Sequence, residues 1–206
     1  TKESLQRLKE FGLYIGNIEA WHNFYPRPET GLGWTYFVER NEWLKKEGLS
    51  VAAFIPGDEK PRGPLYEGLP TLESHRGQSP FAAYMEMKRR GGVDKVLVGD
   101  VSISDASLEQ FAAYEEDVIL LRAKADSSVD TDILKKVATV HTNRADCARD
   151  CIRSVESRQY ASMGKGGIRP HHCARRPAGT ITIDNETYMR YQGEVQITVN
   201  DLPADD

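Results

Sequence analysis

The first half of the chain reads helix, strand, helix, strand, and that alternation limits the fold more than any other feature of the sequence. Leu5, Leu8 and Phe11 lie on one helical face that stops at Gly12, and the apolar run Leu13 to Ile18 follows as a buried strand. Thr35 caps a second helix carrying Phe37, Val38 and Leu44, which closes at Gly48 before a strand at Val51 to Ile55. Ser79 and Pro80 open a third helix, through Phe81, Tyr84 and Met85 toward Gly91, and a strand follows at Lys95 to Val98. A fourth helix centres on Leu108, Phe111 and Ala112. This order predicts an α/β fold of parallel strands joined by right-handed crossovers. Connections entering the strands are short, whereas those leaving them, 19–33 and 56–78, far exceed the usual length of about 4–6 residues. Long loops on the carboxyl side are expected of a (β/α)8 barrel or a doubly wound sheet, whose sites lie there.

The pattern changes near residue 117, which sets the expected boundary between domains 1–116 and 117–206. Val118 to Leu121 reads as a strand, and Thr131 caps a short helix over Ile133, Leu134 and Val137, unless Val137 to His141 continues as a strand. Thr180 to Ile183 and Val195 to Val199 alternate with period two, as half-buried antiparallel strands do. Between them, Gly164 to Gly167 and Arg169 to Pro177 form a loop region, so the second part is mainly β.

Composition narrows the partner. The 206 residues carry 27 Lys and Arg against 31 Asp and Glu, a net charge of -4 with no sustained basic stretch, which argues against nucleic acid and anionic lipid. No apolar run approaches the roughly 18 residues of a membrane span, and the first residues resemble neither a signal nor a transit peptide. Cys147, Cys151 and Cys173 are too few for a disulfide framework and suit a reducing cytosol. A zinc site built from them with His171 and His172 is rejected, because no CxxC pair exists. Gly164 to Gly167 lacks the ending of a phosphate-cradling loop, and no Gly-x-Ser-x-Gly elbow is present.

Chemistry-bearing residues concentrate in the long loops. Glu19, His22, Asn23, Tyr25 and Arg27 follow the first strand, with Pro26 and Pro28 holding Arg27 in extended backbone; a plug of Trp21, Phe24 and Tyr25 with an Arg27–Glu29 pair reads equally well. Glu73, His75 and Arg76 in the second loop supply a carboxylate, a proton-transfer group and an anion clamp, or else the capped start of a helix. Asp100 ends the third strand, facing a ligand or capping the next helix.

The motifs His22 to Pro28, Thr30 to Leu32, Ala53 to Gly57, Gly68 to Arg76, Gly179 to Asn185, Arg190 to Glu194 and Asp201 to Asp205 together resemble the MupG-type 6-phospho-N-acetylmuramidases over nearly the whole chain. The resemblance implies the C-terminal part of a TIM-like barrel, its three strands standing as the sixth to eighth, followed by a small cyclophilin-like β domain with an open edge. Family members are longer, so the chain is expected to be part of such a protein. It also implies hydrolysis of the bond between N-acetylmuramate 6-phosphate and N-acetylglucosamine in cytosolic peptidoglycan recycling, without a cofactor. Such glycosidases need two carboxyl groups. Glu19 is the candidate for one and Asp100 or Glu73 for its partner, while Arg27, Arg76, His22 and His75 suit the anionic sugar. Asn23 and Tyr25 suit its hydroxyls or N-acetyl group, and Arg190, with Asp184, would close over the site from the second domain. A non-catalytic binder of anionic sugars or peptides, and an inactive incomplete chain, are the competing readings.

Overall fold

The computed structural model describes residues 2–158 and 167–205, so Gly164 to Gly166 of the expected loop lie outside the described residues. The chain divides into two compact units, Thr1–Arg122 and Ala123–Asp206.

The first unit alternates α1 (Lys2–Glu10), β1 (Glu19–Trp21), α2 (Trp34–Lys46), β2 (Ser50–Ile55), α3 (Pro80–Arg89), β3 (Lys95–Val98) and α4 (Asp105–Glu115). Its strands form a parallel sheet in the order β1-β2-β3, with Glu19 opposite Ser50 and Ala52 opposite Lys95. Gly33, not Thr35, is the N-cap of α2, and Pro80 opens α3 at its first turn, where no backbone N–H is required. Helices exit through Gly12 and Gly48, both at positive φ, where a side chain would be strained.

Val51, Ala53 and Ile55 point toward the helices. Val51 joins Leu5, Leu44 and Leu49, while Ala53 and Ile55 join Phe37, Leu72, Ala83, Met87 and Val93. With a side-chain period of two, the strand register puts Glu19, Trp21, Ala52, Phe54, Lys95 and Leu97 on the opposite face. Trp21 there is 53% exposed.

The strand expected at Leu13 to Ile18 does not form. Ile15–Asn17 is a 3-10 turn and the strand begins at Glu19. Gly16 and Asn17 are poor strand formers, and Ile15 and Ile18 pack on the Leu5–Leu44 cluster instead. Glu19 therefore starts β1 rather than ending a strand.

The second unit holds α5 (Thr131–Val137), β4 (Cys151–Arg153), β5 (Ile181–Ile183) and β6 (Val195–Thr198). Its antiparallel sheet runs β4-β6-β5, pairing Ile181 with Ile197 and Cys151 with Thr198. Asp130, one residue before Thr131, caps α5 by accepting from the Asp132 N–H at 2.7 Å. Val118 to Leu121 is irregular and exposed rather than a strand; the Val118 N–H closes the end of α4 on the Ala113 carbonyl. Cys151 opens β4, so Cys147 and Cys151 do not share a helix face.

Candidate active site

Three loops leave the carboxyl ends of the parallel strands, and one carboxylate organises the longest. Asp100, 8% exposed, accepts backbone N–H groups from Gly57 at 2.7 Å, Arg62 at 2.9 Å and Leu69 at 3.1 Å. It thereby ties both feet of the 57–69 loop to the end of β3. The alternative of Asp100 as a helix cap does not survive, because Ser104 caps α4. Nor does the carboxylate stand free for proton transfer, since both oxygens are occupied by the loop.

Glu73 and Arg76 join the second loop to the first. The Arg76 guanidinium donates to both Glu73 oxygens, at 2.7 and 2.8 Å, and to the carbonyls of Tyr25, Arg27, Glu67 and Gly68. All five donors are used, so the anion-clamp expectation for Arg76 gives way to a latch between loops. Glu73 also accepts the Glu29 and Gly31 N–H groups; the Arg76 guanidinium, aided by these bonds, holds its carboxyl down at about 2. The intervening His75 turns inward. It is fully buried, with Nε2 3.0 Å from Glu86 of α3, and does not face the loop surface.

A cavity of about 350 Å³ beside β1, α1 and α2 gathers Glu19, His22, Asn23 and Tyr25 with Trp21 and Arg40. Asn41 donates its amide N–H to the Gly91 carbonyl, so its oxygen accepts from His22 Nε2 at 2.6 Å and leaves His22 Nδ1 as the unprotonated nitrogen. Burial lowers the His22 pKa. Glu19 pairs with Lys95 and accepts from Trp21 Nε1 at 3.0 Å, and the Lys95 bond holds its carboxyl below the usual range. Its place at the start of β1 sets it at the end of the sheet opposite the long loops, against the expectation that it stands at a carboxyl end.

Arg27 is exposed on the first loop, while Arg190 belongs to the second unit, where it donates to the Tyr191 hydroxyl at 2.6 Å. The predicted residues thus fall into a cavity group, the Glu73–Arg76 latch, Asp100 at the feet of the loop, the inward-turned His75 and these two arginines. Sequence reasoning missed Thr71, fully buried, whose hydroxyl donates to the Asn23 carbonyl and accepts the Phe54 N–H. Arg62 and Tyr66 of the same loop are exposed, and Gly63, Pro64 and Gly68 around them are the sequence signal of a turn.

Among the described residues no group of three His, Cys, Asp or Glu could hold a metal ion, and no helix is long and apolar enough to cross a membrane.

A family model described as "6-phospho-N-acetylmuramidase, N-terminal" matches residues 1–113, and its companion "6-phospho-N-acetylmuramidase, C-terminal" matches residues 118–206. No curated protein matches at a significant level. A conserved Enterococcus faecalis protein of unknown function has a solved structure that matches with a TM-score of 0.86 and 46% identity, over 100% of this chain and 55% of its own. An uncharacterised B. cereus protein matches with a TM-score of 0.65 and 26% identity, over 98% of this chain and 58% of its own. The chain therefore spans little more than half the length of these structural relatives. With both family halves matched in order along its whole length, the chain belongs to the MupG-type 6-phospho-N-acetylmuramidase family.

Proposed function

We propose that this chain takes part in hydrolysing the bond between N-acetylmuramate 6-phosphate and N-acetylglucosamine, in the cytoplasm of a bacterium recycling its peptidoglycan. The observation that carries the reading is the match of both family halves, in order, to the two parts of the chain.

The first unit is read as three units of a TIM-like barrel. Its parallel sheet has helices packed on one face, and the other face carries Trp21, Phe54 and Leu97 as an inward barrel face would. The small antiparallel sheet of the second unit is read as a cyclophilin-like domain.

Arg27 supplies the cation for the phosphate or lactyl carboxylate, with Asn23 and Tyr25 beside it for hydroxyls and the N-acetyl group. Asp100, Glu73 and Arg76 are positioning residues that hold these loops in place. Of the two carboxyl groups a glycosidase needs, Glu19 is kept ionised by Lys95 as a nucleophile or base would be, but it stands at the amino end of β1, away from Arg27 and the long loops, so its part in the chemistry rests on the Glu19→Gln test. The general acid requires the opposite shift, and every resolved carboxyl shift in the first unit, at Glu19, Asp58, Glu73 and Asp94, is downward.

The test incubates the 206-residue chain with the 6-phosphorylated disaccharide and its unphosphorylated counterpart, and follows N-acetylglucosamine release. Release that depends on the phosphate and disappears in Glu19→Gln is the expected result. Equal release from both sugars, or none from the folded chain, counts against the reading. Turnover retained by Glu19→Gln would return that residue to its ion pair with Lys95 alone.

A further inference from the structure

The 57–69 loop is pinned along most of its length. Asp100 holds Gly57, Arg62 and Leu69, the Val101 N–H donates to the Lys60 carbonyl at 3.1 Å, and Arg76 holds the carbonyls of Glu67 and Gly68 at 3.0 Å. Only the tip, Gly63 to Tyr66, is left unanchored by these bonds. At that tip Tyr66 has φ of 59°, a left-handed conformation that glycine or asparagine would adopt at lower cost. Its side chain is nonetheless a large aromatic, 67% exposed, beside Leu65 at 48%. The ring folds back over Gly63, where an added Cβ would lie 3.3 Å from the hydroxyl. Strain held in place by a well-anchored loop, and serving to display an aromatic face to solvent, marks a functional element rather than a packing one. Arg62 stands at the foot of the same tip, its backbone fixed by Asp100 and its guanidinium without a hydrogen bond or ion pair among the described residues.

We propose that Tyr66 and Arg62 form a saccharide-binding lip, in which the Tyr66 ring stacks on the apolar face of a pyranose and the Arg62 guanidinium pairs with an anionic substituent of the same saccharide. The chemistry is complementary. An equatorially substituted pyranose presents a face of C–H bonds that packs on an aromatic ring, and a guanidinium fork matches a phosphate or carboxylate in two-point geometry. The lip lies at the carboxyl edge of the parallel sheet, where α/β folds bind their ligands. The identity of the saccharide as a phosphorylated amino sugar rests on the phosphomuramidase reading.

Binding alone tests the lip. The isotope-labelled chain is titrated with N-acetylmuramate 6-phosphate and, separately, with N-acetylglucosamine, while backbone amide shifts are followed by NMR. Amides of residues 62–69 are expected to move with both sugars. Tyr66→Ala weakens both by about fivefold, whereas Tyr66→Phe, which keeps the ring, stays close to the parent. Arg62→Gln weakens the phosphorylated sugar by roughly tenfold and leaves N-acetylglucosamine unchanged. Loop amides unmoved by either sugar, or Tyr66→Ala and Arg62→Gln binding as tightly as the parent, overturn the proposal. Perturbation of this loop in a chain that hydrolyses nothing would sink the phosphomuramidase reading and leave the lip standing.

Discussion

The Glu73 carboxylate and the Arg76 guanidinium meet through two hydrogen bonds, of 2.7 and 2.8 Å, and together they bind one long loop of the first unit to the other. Arg76 is the more committed partner, because the backbone carbonyls of residues 25, 67 and 68 accept from it, as does that of Arg27, which Thr30 also serves. Arg76→Ala should cost about 2–4 kcal/mol in urea denaturation, since it removes the partner of the Tyr25, Glu67 and Gly68 carbonyls and the cation facing Glu73 together. Arg76→Lys restores the charge with three donors in place of five and should recover only part of the loss. The Glu73 pKa falls from 4.5 to about 2 on folding. Its stabilisation is therefore complete above pH 4.5 and is lost as the pH falls toward 2. A pH series in which Arg76→Ala and the parent converge already at pH 4 would contradict this assignment.

Thr71 does for β2 what the latch does for the loops. Its hydroxyl, on a fully buried side chain, accepts the Phe54 N–H at 2.9 Å and donates to the Asn23 carbonyl at 2.9 Å. Thr71→Val keeps the shape and removes both bonds, so a half-buried N–H and a carbonyl lose their partner. The expected cost is about 1–3 kcal/mol, read from the denaturation midpoint, with Thr71→Ser losing less because the hydroxyl remains. Equal stabilities for the valine and serine variants would show that the hydroxyl is immaterial.

How far the fold could be read from the sequence depended on the element. Strands β2 and β3 and helix α3 were legible because their signals are local: an apolar run bounded by turn residues, and proline directly after Ser79. Strand β1 was misplaced because its three residues, Glu19 to Trp21, carry a weaker pattern than the apolar run before them. That run is apolar for a different reason, to cover the cluster of Leu5 and Leu44. In the second unit, β5 and β6 alternate clearly, whereas β4 is a three-residue strand whose partner, β6, lies some forty positions later in the chain.

The site was legible as a place and illegible as a set of roles. Loop length alone pointed to the carboxyl edge of the sheet. The function of Asp100, however, is decided by N–H groups 43, 38 and 31 positions away, and that of Arg76 by carbonyls 51 and 49 positions away. No local pattern distinguishes an aspartate that holds a loop from one that moves a proton. The family resemblance identified the motif around each residue but left that distinction to the geometry.

Asp100→Asn separates the two roles. The substitution replaces one of the two acceptor oxygens with an NH2 group facing a backbone N–H, whichever way the amide turns. The protein should lose about 2 kcal/mol. Proteolytic nicking within residues 57–69 should accelerate before any global unfolding, because the feet of that loop are released first. A variant that unfolds like the parent and resists proteolysis equally would return Asp100 to a direct chemical role.

Asp184 in the second unit responds to pH in the opposite sense to Glu73. Burial, reinforced by the Glu194 and Asp205 carboxylates and opposed by the Gln196 amide at 3.2 Å and by Arg176, raises its pKa from 3.8 to about 6. The folded state thus holds a proton that the unfolded chain has released between pH 4 and 6, and stability falls as pH rises through that window. Above it the ionised carboxylate is an unfavourable neighbour for Glu194. Asp184→Asn keeps an oxygen to accept from Gln196 and removes the charge. The variant should gain about 1 kcal/mol at pH 7.5, a figure discounted because the group is only half-buried, and the gain should vanish below pH 4. Melting curves of parent and variant at pH 3.5, 5 and 7.5 measure this directly; a gain that does not change with pH would assign it to packing instead of charge.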